Sequence, residues 1–128
     1  MRKKSDNEIR WGDIYFADLG DIKNHHPGEL SGKRPVVILQ NNVGNRFSPT
    51  VTIVPVTSCT ERKLHRKNFP THVFIKGGES GMAMDSIVES EQIQTISKKK
   101  LLYRLGSLKT ETMEKIIRCL VIQTDGSM

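Results

Sequence analysis

The sequence PVVILQ at residues 35–40 is an unbroken apolar run of the kind found in central strands covered on both faces. Other short segments rich in β-branched residues surround it, separated by Gly, Pro and Asn. They are residues 14–17, 50–57, 71–75, 86–88, 92–96 and 102–108. Pro55 interrupts the segment at 50–57. Because proline cannot donate a hydrogen bond to a neighbouring strand, we expect that strand to bend there.

The last part of the chain changes to a helical period. Thr110 is the expected cap of a helix that runs to about Gln123. Its apolar side chains recur at the spacing of one helix face: Met113, Ile116, Ile117 and Leu120. Residues 41–45, with three asparagines and a glycine, predict a turn. The whole pattern predicts a mainly β fold, a small and strongly bent sheet or partial barrel with a C-terminal helix packed on it.

Length and composition favour one soluble domain with an affinity for anions. The chain has 128 residues, with 20 Lys and Arg against 14 Asp and Glu. A basic surface attracts phosphate or anionic lipid. We expect a disordered polar lead-in at residues 1–10, one domain at 11–124 and a short tail at 125–128. There is no apolar stretch suited to a signal peptide or a membrane span, so a cytoplasmic protein without membrane contact is expected.

Cysteine usage predicts neither disulfides nor a structural metal. Cys59 and Cys119 are far apart in sequence, and the chain contains no CxxC pair. Two free thiols in a reducing compartment fit this pattern. We therefore do not expect a structural zinc site of the usual cysteine type.

Seven local strings, taken in order, resemble the MazF/PemK family of toxin endoribonucleases. They are RWGDIYFADL at 10–19, GKRPVVILQN at 32–41, GNRFSPT at 44–50, VPVTS at 54–58, PTHV at 70–73, DSIV at 85–88 and EQIQTI at 91–96. GNRFSPT resembles the Gram-positive branch of the family. The resemblance runs from about Trp11 to the C-terminal helix. It implies an SH3-like barrel of the CcdB/PemK type, a homodimer, single-stranded RNA as substrate and an antitoxin partner, for which an acidic, partly disordered peptide suits the positive charge.

The resemblance also implies a reaction that needs neither a metal nor a cofactor in the functional site. The ribose 2′-hydroxyl attacks the adjacent phosphate, which leaves a 2′,3′-cyclic phosphate and a free 5′-hydroxyl. An enzyme then has to move protons and stabilise the charge on the phosphorane. The resemblance thus implies a sequence-selective endoribonuclease that acts on mRNA as the toxin of a type II toxin-antitoxin system.

Arg34 and Thr57 are the candidate catalytic residues. Arg34 lies where a Gly-rich loop meets the apolar strand, and its guanidinium can bind two phosphate oxygens at once. Thr57 ends the next strand, two residues after Pro55, where its hydroxyl can donate to a phosphate oxygen. Taken alone, a surface ion pair and simple strand propensity would explain the two residues. The resemblance aligns them with the catalytic arginine and threonine of the family, and assigns Arg34 to charge and proton transfer and Thr57 to the phosphorane.

Seven further residues are candidates for RNA binding: Glu29, Lys33, Asn41, Arg62, Lys63, Glu91 and Gln92. Glu29, Asn41, Glu91 and Gln92 match family positions near the RNA, where carboxylates and amides can read unstacked bases. A solvated carboxylate explains Glu29 equally well, and turn formation competes for Asn41. The basic loop that contains Arg62 and Lys63 is suited to the phosphate backbone, although a solvated run of charge has the same appearance.

Histidines and aromatic residues remain secondary candidates. His25 and His26 lie in the first loop and could serve as bases near neutral pH, but the resemblance assigns them no role. That loop is longer than is usual in the family, which leaves the RNA preference open. His72 is expected in a strand, and packing comes first for Trp11 and Phe47.

Other functions that the same fold can carry lead to different expectations. A CcdB-like toxin that poisons gyrase acts through an aromatic C-terminal end, which the tail at 124–128 lacks. A non-catalytic RNA-binding module would bind RNA with a steep salt dependence and release no cut products. An inactive toxin remnant that only sequesters antitoxin is a further alternative, against which the presence of Arg34 and Thr57 argues weakly.

Overall fold

The computed structural model describes residues 8–21, 30–59 and 71–127. Its elements are β1 (Asp13–Asp18), β2 (Lys33–Ile38), α1 (Asn42–Phe47), β3 (Thr50–Ser58), β4 (His72–Ile75), β5 (Ser86–Glu89), a 3-10 turn (Ser90–Gln92), β6 (Gln94–Ser97), a second 3-10 turn (Lys98–Lys100), β7 (Leu101–Ser107) and α2 (Thr110–Thr124). Most of the expected lead-in lies outside the described residues. No helix in the described ranges has the length and apolar content needed to cross a membrane.

The strands form one bent antiparallel sheet. Their order is β4-β5-β3-β2-β1-β7, and β6 pairs with the first half of β3. β3 pairs with β2 as far as Pro55, and its last residues, from Val56 to Ser58, pair with β5. The strand thus changes partners directly after the proline, where the sequence predicts a bend. Among the described strands β4 and β7 remain unpaired with each other, so the sheet does not close into a barrel.

Side chains from the two faces of the sheet form two apolar clusters. Val37 and Val54 are opposite each other in the β2–β3 register and pack in the cluster under α2. Their neighbours Ile38 and Ile53, also opposite each other, pack in the second cluster with Val51 and Ile96. Burying one such side chain contributes about 1.5–3 kcal/mol. The apolar run at 35–40 is therefore covered on both faces, as predicted.

The C-terminal helix is confirmed, but its packed face differs from the prediction. Met113 and Ile116 are buried and Leu120 packs partly buried against the same cluster, as predicted. Cys119 is also buried, whereas Ile117 is 40% exposed. The helix packs against β4 and the Ser90–Gln92 turn, a narrow contact that covers a stripe at spacing i, i+3 and i+6. The predicted cap was also wrong, because Lys109 occupies the cap position, and its side chain makes no capping hydrogen bond.

The turn predicted at residues 41–45 is the start of a helix instead. Asn41 is the N-terminal cap of α1, and its side chain accepts a hydrogen bond of 2.9 Å from the Gly44 amide. Asn42 accepts from the Trp11 amide at 2.7 Å, and Asn45 donates to the Gln40 carbonyl at 2.7 Å. The same asparagine chemistry that stabilises turns here begins and fastens a short helix.

A turn between β4 and β5 lies directly on the backbone of β7. Gly81 has a φ of +83°, and a Cβ atom on it would lie 2.0 Å from the Leu105 carbonyl oxygen. On the other side of this contact, a Cβ atom on Gly106 would lie 2.1 Å from the Ser80 carbonyl oxygen. Only hydrogen atoms fit between the two backbones, so both positions require glycine.

Substitution of Gly106 by alanine should therefore destabilise the fold. Because the added methyl group meets backbone atoms that cannot rotate away, we expect a loss of at least about 1–3 kcal/mol in the free energy of unfolding. Urea denaturation of Gly106→Ala and wild type measures this difference. Gly126→Ala is the matched control, since nothing lies within 4 Å of a Cβ atom at that position. Equal midpoints for the two variants would contradict the contact.

Candidate functional site

The guanidinium of Arg34 is fixed between the end of the first loop and β3. Arg34 is the second residue of β2 and lies opposite Ala17 of β1. Its Nε donates to the Ser31 carbonyl at 2.9 Å, and its Nη1 donates to the Val56 carbonyl at 3.4 Å. Val56 directly precedes Thr57 in the chain. Arg34 and Thr57, the two catalytic residues predicted from the sequence, therefore lie close together.

Thr57 is positioned by the change of partners in β3. It lies opposite Ile87 of β5 and is 3% exposed. Arg34 and Thr57 line the same cavity, which has a volume of about 400 Å³. Cavities of this size accept small molecules, so there is room for a nucleotide-sized group. Lys33, which is exposed at the start of β2, also lines it.

Two aromatic rings form part of the cavity wall. Phe16 of β1 and Tyr103 of β7 are register partners, and their rings stack with centroids 5.3 Å apart and an interplanar angle of 26°. Tyr103 is 54% exposed. Sequence reasoning missed both residues, because only the pairing of β1 with β7 brings them together. Phe47, which was expected to pack, is instead largely exposed with Arg46 over its ring.

The RNA-binding candidates divide into four groups, of which the last, Glu91 with Gln92, is described in the next paragraph. Lys33 lies at the cavity, as stated above. Asn41 uses its side chain to cap α1, which is the turn-like role that competed with RNA binding. Glu29, Arg62 and Lys63 lie outside the described residues, as do His25 and His26.

Glu91 and Gln92 use their side chains to connect separate parts of the chain. Gln92 Oε1 accepts a hydrogen bond of 2.8 Å from the Leu30 amide, 62 residues away. Leu30 precedes Ser31, whose carbonyl binds Arg34. Gln92 therefore anchors the end of the loop that orients the guanidinium. Glu91 binds Thr71 and His72, at the beginning of β4.

The thiol nearest to the cavity is unsuited to act as a nucleophile. Cys59 follows Ser58, a lining residue, and its amide donates to the Asp85 carbonyl at 2.9 Å. Burial, and then the negative charge of Asp85, raise the pKa of the Cys59 thiol above its ordinary value. Because the thiolate is the reactive form, this thiol is poorly reactive near neutral pH.

The combination of fold and site is that of a small bent-sheet protein with a nucleotide-sized cavity lined by Lys33, Arg34 and Thr57. The chain belongs to the PemK-like, MazF-like toxins of type II toxin-antitoxin systems, because the sequence model of that family matches residues 10–124. The predicted family membership is thereby confirmed.

Individual relatives agree with this assignment. The chain is 38% identical over 114 residues to Endoribonuclease EndoA of Bacillus subtilis (strain 168). The aligned region covers 89% of this chain and 92% of the relative. An endoribonuclease from a mycobacterial species, solved with its cognate antitoxin, is 27% identical and has a TM-score of 0.69, covering 89% of this chain and 92% of that one. MazF from Deinococcus radiodurans, at 16% identity and a TM-score of 0.71, covers 90% of this chain and 94% of that one, and supports the fold.

The anchor between Gln92 and the first loop can be measured directly. In Gln92→Ala the Leu30 amide loses its acceptor, and a net hydrogen-bond contribution of about 0.5–1.5 kcal/mol predicts hydrogen exchange about 2–10-fold faster at that amide. NMR-detected exchange provides the rate. Gln94→Ala, two residues further on in β6, is the control and should leave the Leu30 rate unchanged. Unchanged exchange in Gln92→Ala would refute the anchor.

Proposed function

We propose that this chain is an endoribonuclease toxin that cleaves single-stranded mRNA at selected sequences without a metal ion. The observation that carries the proposal is that Arg34 and Thr57 line one cavity large enough for a nucleotide. The relationship to Endoribonuclease EndoA supports RNA as the substrate. The chain has a net charge of +6, which favours a polyanionic substrate.

The proposed reaction uses a nucleophile that the substrate supplies. The ribose 2′-hydroxyl oxygen bonds to the adjacent phosphorus, and the bond from phosphorus to the 5′-oxygen breaks. One proton leaves the 2′-hydroxyl and one reaches the departing oxygen, so the products carry a 2′,3′-cyclic phosphate and a 5′-hydroxyl. The enzyme then has to stabilise the charge on the phosphorane and to assist the proton movements.

Arg34 supplies the positive charge in this mechanism. Its Nε and Nη1 atoms donate to the peptide carbonyls of Ser31 and Val56, so the side chain is oriented before the substrate arrives. A preorganised donor of this kind stabilises developing charge without reorganising during the reaction. Thr57 would donate its hydroxyl to a phosphorane oxygen. Arginine also takes part in proton transfer in this proposal, although a guanidinium group that already carries its proton near neutral pH is an unusual general base.

The stacked pair of Phe16 and Tyr103 would bind a base beside the scissile phosphate. Every base has a π face, and an exposed ring at the cavity wall offers a surface for stacking. Lys33 lines the same cavity and would contact a phosphate. Sequence selectivity then depends on the groups that surround the two stacked rings. Among these groups, the first loop is the nearest in sequence to Lys33 and Arg34.

We also propose that the toxin acts as a cytoplasmic homodimer controlled by an antitoxin. Apolar side chains on α1 and α2 are exposed in the single chain: Val43, Phe47, Ile117, Val121 and Ile122. Exposed apolar side chains that lie together on a surface are typical of protein interfaces, and these helices would supply them. The mycobacterial relative was solved with its cognate antitoxin, and MazF of Deinococcus radiodurans was solved with MazE. An acidic, partly disordered antitoxin would suit the positive charge of this chain.

Cleavage in the presence of EDTA tests the proposed reaction. Wild type should cut a long single-stranded RNA and leave cyclic-phosphate ends that mass spectrometry detects. Arg34→Ala and Thr57→Val should each lower the rate about 10²–10³-fold, the usual loss when one stabilising donor is removed. Lys115→Ala, which removes one positive charge from the exposed side of α2, is the control and should cleave like wild type.

Three outcomes would refute this proposal. One is a strict requirement for an added metal ion, and another is full activity in both Arg34→Ala and Thr57→Val. Salt-dependent binding of RNA without cut products would instead identify a binding module.

A separate measurement tests the aromatic platform. Tyr103→Ala should weaken binding of a short single-stranded RNA by about 1–3 kcal/mol, which is the range for loss of one base–aromatic stack. Tyr103→Phe keeps the ring and should bind like wild type. Arg34→Ala serves as the background for both variants, so that cleavage does not disturb the titration. Equal affinities for Tyr103→Ala and Tyr103→Phe would exclude stacking.

A further inference from the structure

Three potential metal ligands lie together at the end of the sheet next to α2. His72, at the start of β4, and Glu89, at the end of β5, are opposite each other in the register. Glu91 follows in the 3-10 turn. His72 Nε2 lies 3.7 Å from Glu89 Oε1 and 3.1 Å from Glu91 Oε2, and the three ligand atoms lie within 4.8 Å of one another.

The cluster is rigidly held. The side chains of His72 and Glu89 are 5% and 4% exposed, whereas Glu91 is 37% exposed and gives access from solvent. Thr71 Oγ1 donates to the second oxygen of Glu91 at 2.9 Å, and the Ser90 amide donates to the Thr71 carbonyl at 3.0 Å. These bonds fix the carboxylate with its other oxygen towards His72, as outer-shell groups do in metal sites.

The distances within the cluster suit a tetrahedral metal site. With nitrogen and oxygen ligands at about 2.0–2.2 Å from zinc, neighbouring ligand atoms in a tetrahedron lie about 3.3–3.6 Å apart. The two separations from His72 Nε2, 3.1 and 3.7 Å, are on either side of that range. All three ligand atoms lie within 4.8 Å of one another, so a closed site differs from this arrangement by a small movement only.

The ligand types also favour a transition metal. An imidazole ligand selects transition metals such as zinc over Mg²⁺ and Ca²⁺, which prefer sites made only of oxygen.

We propose that His72, Glu89 and Glu91 bind one divalent transition metal ion of the zinc class, with a fourth position open to water through the exposed side of Glu91. None of the three residues lines the cavity that contains Arg34 and Thr57. The ion therefore connects β4, β5 and the Ser90–Gln92 turn and takes no part in cutting RNA. This proposal does not depend on the proposed function.

Binding of Zn²⁺ to the full chain tests the site. Protein treated with EDTA and then dialysed free of it should bind one Zn²⁺ per chain by isothermal titration calorimetry, and saturating Zn²⁺ should raise the melting temperature. Mg²⁺ at the same concentration should do neither. Glu91→Gln should weaken Zn²⁺ binding by at least about 100-fold, because even outer-shell partners contribute about 10–100-fold.

Matched variants separate this site from others. Glu79→Gln removes an exposed carboxylate from the turn after β4 and should bind Zn²⁺ like wild type. Glu89→Gln should weaken binding at least as much as Glu91→Gln; if that buried change prevents folding, the more exposed Glu91→Gln carries the test alone. The absence of stoichiometric binding, or equal affinity in Glu91→Gln and wild type, would overturn the proposal. RNA cleavage is assayed in EDTA, so either proposal can fail without the other.

Discussion

A proline in a central strand sets the shape on which the other features of this protein depend. Up to Pro55, β3 pairs with β2 on one side and with β6 on the other. After Pro55, the strand pairs with β5. The sheet turns at this residue, and the end of β3 leaves β2. The Val56 carbonyl then accepts from Arg34, and Thr57 lies beside it at the cavity. The bend and the candidate site are thus consequences of the same local constraint.

Much of the fold follows from the sequence because its signals are local. The apolar run at 35–40, the proline in β3 and the helical period after Thr110 each depend on residues close together in the chain. The asparagines at 41–45 were interpreted less well, since turns and helix caps use the same side-chain hydrogen bonds. Ile117 was assigned to the packed face because periodicity gives the direction of a stripe but not its width, which the partner surface decides.

Only those residues of the candidate site that align with catalytic positions of the family could be predicted from the sequence. Arg34 and Thr57 came from aligned motifs, and neither would have stood out by composition. Phe16 and Tyr103 had no such signal, because their contact depends on the pairing of β1 with β7 across most of the chain. The same holds for His72 and Glu89, which a register between β4 and β5 brings together. Long-range register is the information that a single sequence does not contain.

The 3-10 turn at Ser90–Gln92 connects the two proposed sites mechanically. Glu91 is bonded to Thr71 and His72 at the beginning of β4, and the adjacent Gln92 is bonded to the first loop at Leu30. One short turn thus holds the start of β4 through Glu91 and the end of the first loop through Gln92, and the Leu30–Ser31 segment in turn orients Arg34. The metal-ligand cluster and the cavity share no lining residue, so the turn is a structural support common to both and the chemistry of each stays separate.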